Sequence, residues 1–131
     1  MIIEVIIGAG ALVISYLTYV NKYHSKYKEE RTHLLIHFKA TQTLSKEVQK
    51  LLNQYVVKYG AFNHDMYPGV SYSTAIKTMQ EQHKVNLNDS FINMILNQKM
   101  PKQTIETLTK SVEGQYQALQ QIKNEMLVKL I

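Results

Sequence analysis

Two histidines, His33 and His37, stand four residues apart in the segment HLLIH, so on a helix they would share one face. Their imidazoles could bind a zinc ion, which takes three protein ligands at a catalytic site and four at a structural one. His24 would lie on the opposite side of the helix, and the remaining candidate ligands could approach only through tertiary folding. The segment also lacks the glutamate that follows the first histidine in zinc-protease helices. We therefore predict no metal site here.

His64 and Asp65 form the one adjacent pair of imidazole and carboxylate, and Ser71 and Ser73 follow within a few residues. A serine–histidine–aspartate triad needs the acid on the far side of the imidazole from the nucleophile, which adjacent residues rarely allow. Asn63 and Asp65 are instead typical of turns, where their side chains bond to nearby backbone groups. The chain has no cysteine, which excludes cysteine nucleophiles and disulfides. The sequence thus predicts no catalytic residue and no cofactor.

The first 20 residues, MIIEVIIGAGALVISYLTYV, carry a single charged side chain, Glu4. As a helix rising about 1.5 Å per residue, they would just span the roughly 30 Å hydrocarbon core of a bilayer. Apolar residues would surround this helix, whereas a helix of a soluble domain has a polar face. A secretory signal peptide would need a basic segment before the apolar run. We therefore predict a transmembrane anchor over residues 1–21.

A basic juxtamembrane segment is predicted over residues 22–31, directly after the anchor. The chain has a net charge of +5, and residues 21–60 hold eight basic side chains against three acidic ones. Tyrosine, lysine and arginine in such a segment favour the membrane interface and anionic lipid headgroups. The predicted interface residues are Tyr16, Tyr19, Lys22, Tyr23, Lys26, Tyr27, Lys28 and Arg31. The positive-inside rule then predicts an outer N-terminus and a cytoplasmic C-terminal domain.

Nucleic acid is a less suitable partner for this basic charge than lipid is. The excess is concentrated after the apolar segment and does not extend along the chain, and no arginine-rich or glycine-aromatic motif accompanies it. We therefore predict lipid as a partner and expect no binding of nucleic acid.

Residues 32–131 are predicted to form an all-α domain, either a small helical bundle or a helical hairpin. Apolar residues recur every three or four positions along 32–59, as on one face of an amphipathic helix. Gly60 and the pair Pro68-Gly69 predict a loop over 60–73, because both residue types interrupt helices. No segment shows the alternating pattern that is typical of a strand.

Two short helices are predicted next, one over 74–84 and one that ends before Pro101. The last predicted helix, 102–130, carries the heptad stripe that is typical of packed helices, with Gln115 in one core position. We call this stripe the helix-packing seam: Ile105, Leu108, Val112, Leu119, Ile122 and Met126. We expect it to pack antiparallel on the first helix of the domain, although it would also suit a second copy of the chain.

These features favour a membrane-tethered interaction module, namely an adaptor, scaffold or regulator that presents a helical bundle at the cytoplasmic face. It would bind protein partners through helix packing and would have no catalytic activity. The alternative is a structural subunit of a membrane or envelope-spanning complex, including a spanin-like protein whose bundle lies outside. A small metal-binding protein or enzyme is the third hypothesis.

Overall fold

The structure is a computed structural model that describes residues 27–131. These residues are mostly helical and pack as a bundle, which confirms the all-α prediction for this part of the chain. The elements are α1 (Lys28–Tyr59), β1 (Asp65–Tyr67), β2 (Val70–Ser71), α2 (Tyr72–Asn86), α3 (Ser90–Asn97) and α4 (Lys102–Lys129). The predicted anchor, 1–21, lies outside the described residues, as do the interface residues Tyr16, Tyr19, Lys22, Tyr23 and Lys26. Within the described residues, no helix is both long and apolar enough to cross a bilayer.

The first helix, α1, is 32 residues long and begins four residues before the predicted start. Glu29 and Glu30 lie in its first turn, where negative charge interacts favourably with the helix dipole. The helix ends at Gly60, which adopts a left-handed conformation (φ 60°) and donates its backbone N–H to the carbonyl of Val56. The glycine that predicts the loop therefore also closes the helix.

The segment 60–73 is not entirely a loop, because β1 and β2 form a short antiparallel hairpin within it. Asp65 pairs with Ser71 and Tyr67 with Val70, and the Pro68-Gly69 pair makes the turn. The prediction that the domain has no strand is therefore wrong. Strands of three and two residues are too short to show an alternating pattern, so only the turn signal was visible in the sequence.

The helix α2 starts directly after the hairpin and runs antiparallel to α1. The Oγ of Ser71 accepts the backbone N–H of Thr74 at 3.2 Å, so Ser71 is the N-terminal cap of α2. The rings of Tyr55 and Tyr72 lie 4.9 Å apart at the start of α2, and near its end His83 Nδ1 lies 2.9 Å from Ser45 Oγ. The chain thus returns along α1 towards its N-terminus, and α3 continues in that direction.

The last helix, α4, runs parallel to α1, so the predicted antiparallel hairpin is wrong. His33 lies beside Glu113, and further along both helices Glu47 accepts a hydrogen bond from Lys123 at 2.9 Å. The physical reason is that α2 and α3 together bring the chain back along the whole of α1. The next helix therefore starts at the same end of the bundle as α1. We call this end proximal and the opposite end distal.

Every residue of the helix-packing seam is at most 2% exposed. Its first three residues belong to a proximal apolar cluster with Leu34 and Phe38 of α1. Its last three belong to a distal apolar cluster with Val48 and Leu52. The described chain therefore covers its own seam from end to end.

Buried polar residues mark the point where each long segment passes from one apolar cluster to the other. Thr41 lies between the clusters on α1, Asn86 on α2 and Gln115 on α4. The Gln115 side chain is 1% exposed, and neither its amide oxygen nor its nitrogen has a hydrogen-bond partner among residues 27–131. A buried amide without a hydrogen-bond partner costs stability.

Candidate functional site

Arg31 joins the start of α1 to the end of α3. Its guanidinium donates one hydrogen bond to the carbonyl of Leu96 at 2.6 Å and another to the carbonyl of Gln98. The last carbonyls of a helix lack intrahelical partners and carry partial negative charge, so a cation is favourable there. Burial lowers the pKa of Arg31 from its ordinary value. This predicted interface residue therefore has a structural role that the sequence did not reveal.

The other described interface residues, Tyr27 and Lys28, lie at the same proximal end. The backbone carbonyl of Tyr27 accepts the N–H of Arg31 at 2.9 Å, and its side chain packs against the proximal cluster. Lys28, Arg31 and Leu96 help to line an open cavity of about 380 Å³. Thr32 lines it too, so two of the four described lining residues are basic, and the exposed Leu96 adds an apolar side chain.

His33 and His37 do share one face of α1, and their rings are in contact with centroids 4.3 Å apart. The structure brings a carboxylate to them from α4, because Glu113 Oε1 lies 3.7 Å from His33 Nε2. The nitrogen and oxygen atoms that these three residues can offer to a metal lie within 4.8 Å of one another. Sequence reasoning missed Glu113 because its proximity depends on the parallel packing of α4.

His64 and Asp65 are exposed at the distal end. The backbone N–H of His64 donates to the carbonyl of Ala61 at 3.0 Å, and Asp65 pairs with Ser71 across the hairpin. The Oγ of Ser71 interacts with both the backbone N–H and the hydroxyl of Thr74. These residues therefore serve the local backbone structure of the hairpin and the helix cap.

A different histidine is paired with a serine inside the bundle. His83 Nδ1 lies 2.9 Å from Ser45 Oγ, which is itself 3% exposed. Burial lowers the pKa of His83, the positive charge of Lys46 lowers it further, and the negative charge of Asp89 opposes both. This contact joins α1 to α2. The burial of Ser45 keeps its hydroxyl out of reach of a substrate in solution.

Tyrosines and a lysine order the distal end of the bundle. The ammonium of Lys129 donates to Tyr72 Oη at 2.9 Å and lies 5.9 Å from the centre of the Tyr55 ring. These contacts raise the pKa of Lys129. Tyr67 Oη donates to Glu125 Oε2 at 3.0 Å, and burial together with this bond raises the pKa of Tyr67. The hairpin and the ends of α1 and α4 are thereby held together.

Large apolar side chains are exposed mainly at this distal end. Among the described residues, nine large apolar side chains are exposed, and six of them belong to the last turns of α1 and α4 or to the segments that follow. We call these six the distal surface: Val57, Tyr59, Phe62, Leu127, Val128 and Ile131. Exposed apolar side chains are typical of protein–protein contact sites where they form one contiguous patch.

Comparison of the chain with models of protein families, with curated proteins and with solved structures gives no match.

We expect the full chain to lose stability as the pH falls through about 6.5, the ordinary histidine value. The native state lowers the pKa of His83, so the unfolded chain binds a proton there at a higher pH and is favoured by acid. Replacing His83 by glutamine should make the melting temperature less dependent on pH between neutrality and mild acid. The matched control is His64→Gln, an exposed site, which should keep the original dependence. Equal pH dependence of the original chain and His83→Gln would contradict this assignment.

Proposed function

We propose that this protein is a membrane-tethered interaction module, an adaptor, scaffold or regulator that holds a helical bundle at the cytoplasmic face. The observation that carries the proposal is the position of the distal surface. It lies at the end of the bundle opposite to the start of α1, which the apolar run of the predicted anchor precedes in the sequence. A protein partner would bind the distal surface, and lipid would contact the opposite end.

The two ends of the bundle differ in the way that this function requires. Lys28, Lys99 and Lys102 add basic side chains to the proximal end, and anionic headgroups would attract these lysines. Acidic side chains lie at this end too, namely Glu29, Glu30 and Glu106. At about 1.5 Å per residue, the 32 residues of α1 would hold the distal surface roughly 48 Å from that end. The bundle would thus act as a spacer that presents an apolar surface beyond the headgroup region.

Ordered contacts beneath the distal surface support its use as a binding site. Tyr67 with Glu125 and Lys129 with Tyr72 tie the hairpin and α2 to the last turns of α4. A surface that is already ordered loses little conformational entropy when a partner binds. Exposed apolar residues on such a base are therefore suited to recognition by packing.

A single cysteine tests the tether and the orientation together, because the natural chain has none. Asn63→Cys, an exposed position in the distal loop, should leave the full chain in the membrane pellet after carbonate extraction. An impermeant thiol reagent should label this cysteine only after the cells are permeabilised, since the proposed domain is cytoplasmic.

Release of the chain by carbonate would contradict the membrane tether. Labelling in intact cells would overturn the cytoplasmic orientation and would favour a structural subunit of an envelope-spanning complex.

The same cysteine can test whether the distal surface binds a partner. A permeant reagent that joins the Asn63→Cys thiol to a photoreactive group should give a discrete protein adduct in cells. Phe62→Ser and Val128→Ser together should abolish this adduct, because they remove exposed apolar side chains from the distal surface. Both positions are exposed, so the bundle should remain folded.

The control is Val85→Ser, which removes an equally apolar side chain, 50% exposed, from a position outside the distal surface. The adduct should persist in this variant. An adduct of equal yield in all variants would show that the distal surface does not select the partner.

A further inference from the structure

We propose that His33, His37 and Glu113 form a binding site for one divalent transition-metal ion, for which zinc is the probe. Two of the ligands come from α1 and the third from α4, so the site exists only in the folded bundle. It lies beside the proximal apolar cluster and away from the distal surface. Zinc binding at this site would therefore depend neither on the orientation of the chain in the membrane nor on a partner at the distal surface.

The distances between the ligand atoms suit a metal ion after small side-chain movements. Zinc–nitrogen and zinc–oxygen bonds of about 2.0–2.2 Å place tetrahedral ligands roughly 3.4 Å apart. The candidate atoms lie within 4.8 Å of one another, and His33 Nε2 is already 3.7 Å from the Glu113 carboxylate. His33 and Glu113 are both substantially exposed, so their side chains have room to rotate inward by the remaining distance.

The charges around the site favour a cation. An open cavity of about 440 Å³ lies next to His33 and Glu113 and is also lined by Glu29, Glu30, Glu106 and Lys110. Among the described residues, four carboxylates and one ammonium group therefore line the cavity beside the His33 imidazole. The cavity is open to solvent, so water can complete the coordination that three protein ligands leave unfilled.

The donor set identifies the class of metal. Two imidazoles and one carboxylate suit zinc, copper or nickel, whereas calcium and magnesium prefer sites made of oxygen alone. With three protein ligands on two parallel helices, the ion would link the N-terminal halves of α1 and α4. Binding should therefore stabilise the folded bundle, because the unfolded chain does not hold the three residues together.

The test uses the full chain in detergent, free of affinity tags and stripped with a chelator, titrated with zinc chloride in a calorimeter. We expect one zinc ion per chain and a rise in melting temperature when zinc is present. Glu113→Gln should weaken binding by at least about tenfold, since even indirect partners of metal ligands contribute about 10–100-fold. It should also make the rise in melting temperature smaller at the same zinc concentration.

Circular dichroism should show unchanged helicity in Glu113→Gln, because the replacement has nearly the same shape and the side chain is 42% exposed. His33→Ala should weaken binding in the same way, whereas His64→Ala, an exposed histidine outside the site, should leave it unchanged. Zinc bound equally by the original chain and Glu113→Gln would show a simple histidine pair and would overturn the three-residue site. Failure of the original chain to bind zinc at millimolar concentration would also overturn it.

Discussion

The bundle depends on burying the apolar seam of α4 along its whole length against α1. Helices of 28 and 32 residues that carry a continuous apolar stripe are not stable alone in water, so their apolar faces must be covered. In this chain α2 and α3 run back along α1 before α4 begins. The seam of α4 is therefore buried against α1 with the two helices parallel. The two apolar clusters, the polar positions between them and the proximity of Glu113 to His33 all follow from this direction.

The parallel direction also gives the bundle two different ends. The start of α1, the end of α3 and the start of α4 meet at the proximal end, where Arg31 donates hydrogen bonds to the carbonyls of Leu96 and Gln98. The last turns of α1 and α4 meet at the distal end with the hairpin, and most of the large apolar side chains that are exposed among residues 27–131 lie there. In an antiparallel hairpin, the start of α1 would lie beside the end of α4, so the last turns of the two helices would lie at opposite ends. The position of these exposed apolar side chains, at the end opposite to the start of α1, is the physical basis of the proposed membrane-tethered module.

Local signals in the sequence predicted the helices well, and long-range signals were missing. Gly60 predicted the end of α1, Pro101 predicted the start of α4, and the periodic seam predicted the buried face of α4. All three features depend on residues that are close together in the sequence. The direction of α4 depends on whether α2 and α3 together are long enough to retrace α1, which periodicity does not encode. The role of Arg31 and the approach of Glu113 were missed for the same reason. The spacing of His33 and His37 was visible in the sequence, but the third proposed ligand, Glu113, belongs to another helix.

A crosslinking measurement tests the parallel packing most directly, using pairs of cysteines in this cysteine-free chain. Glu47→Cys with Lys123→Cys replaces an exposed ion pair, which contributes little stability, at a point where α1 and α4 are in contact. A short bis-maleimide should join this pair efficiently within one chain. His33→Cys with Lys123→Cys should not react, because His33 lies beside Glu113, about 15 Å along α4 from Lys123 at 1.5 Å per residue. Efficient crosslinking of the second pair and not the first would show that the helices are antiparallel and would contradict this account.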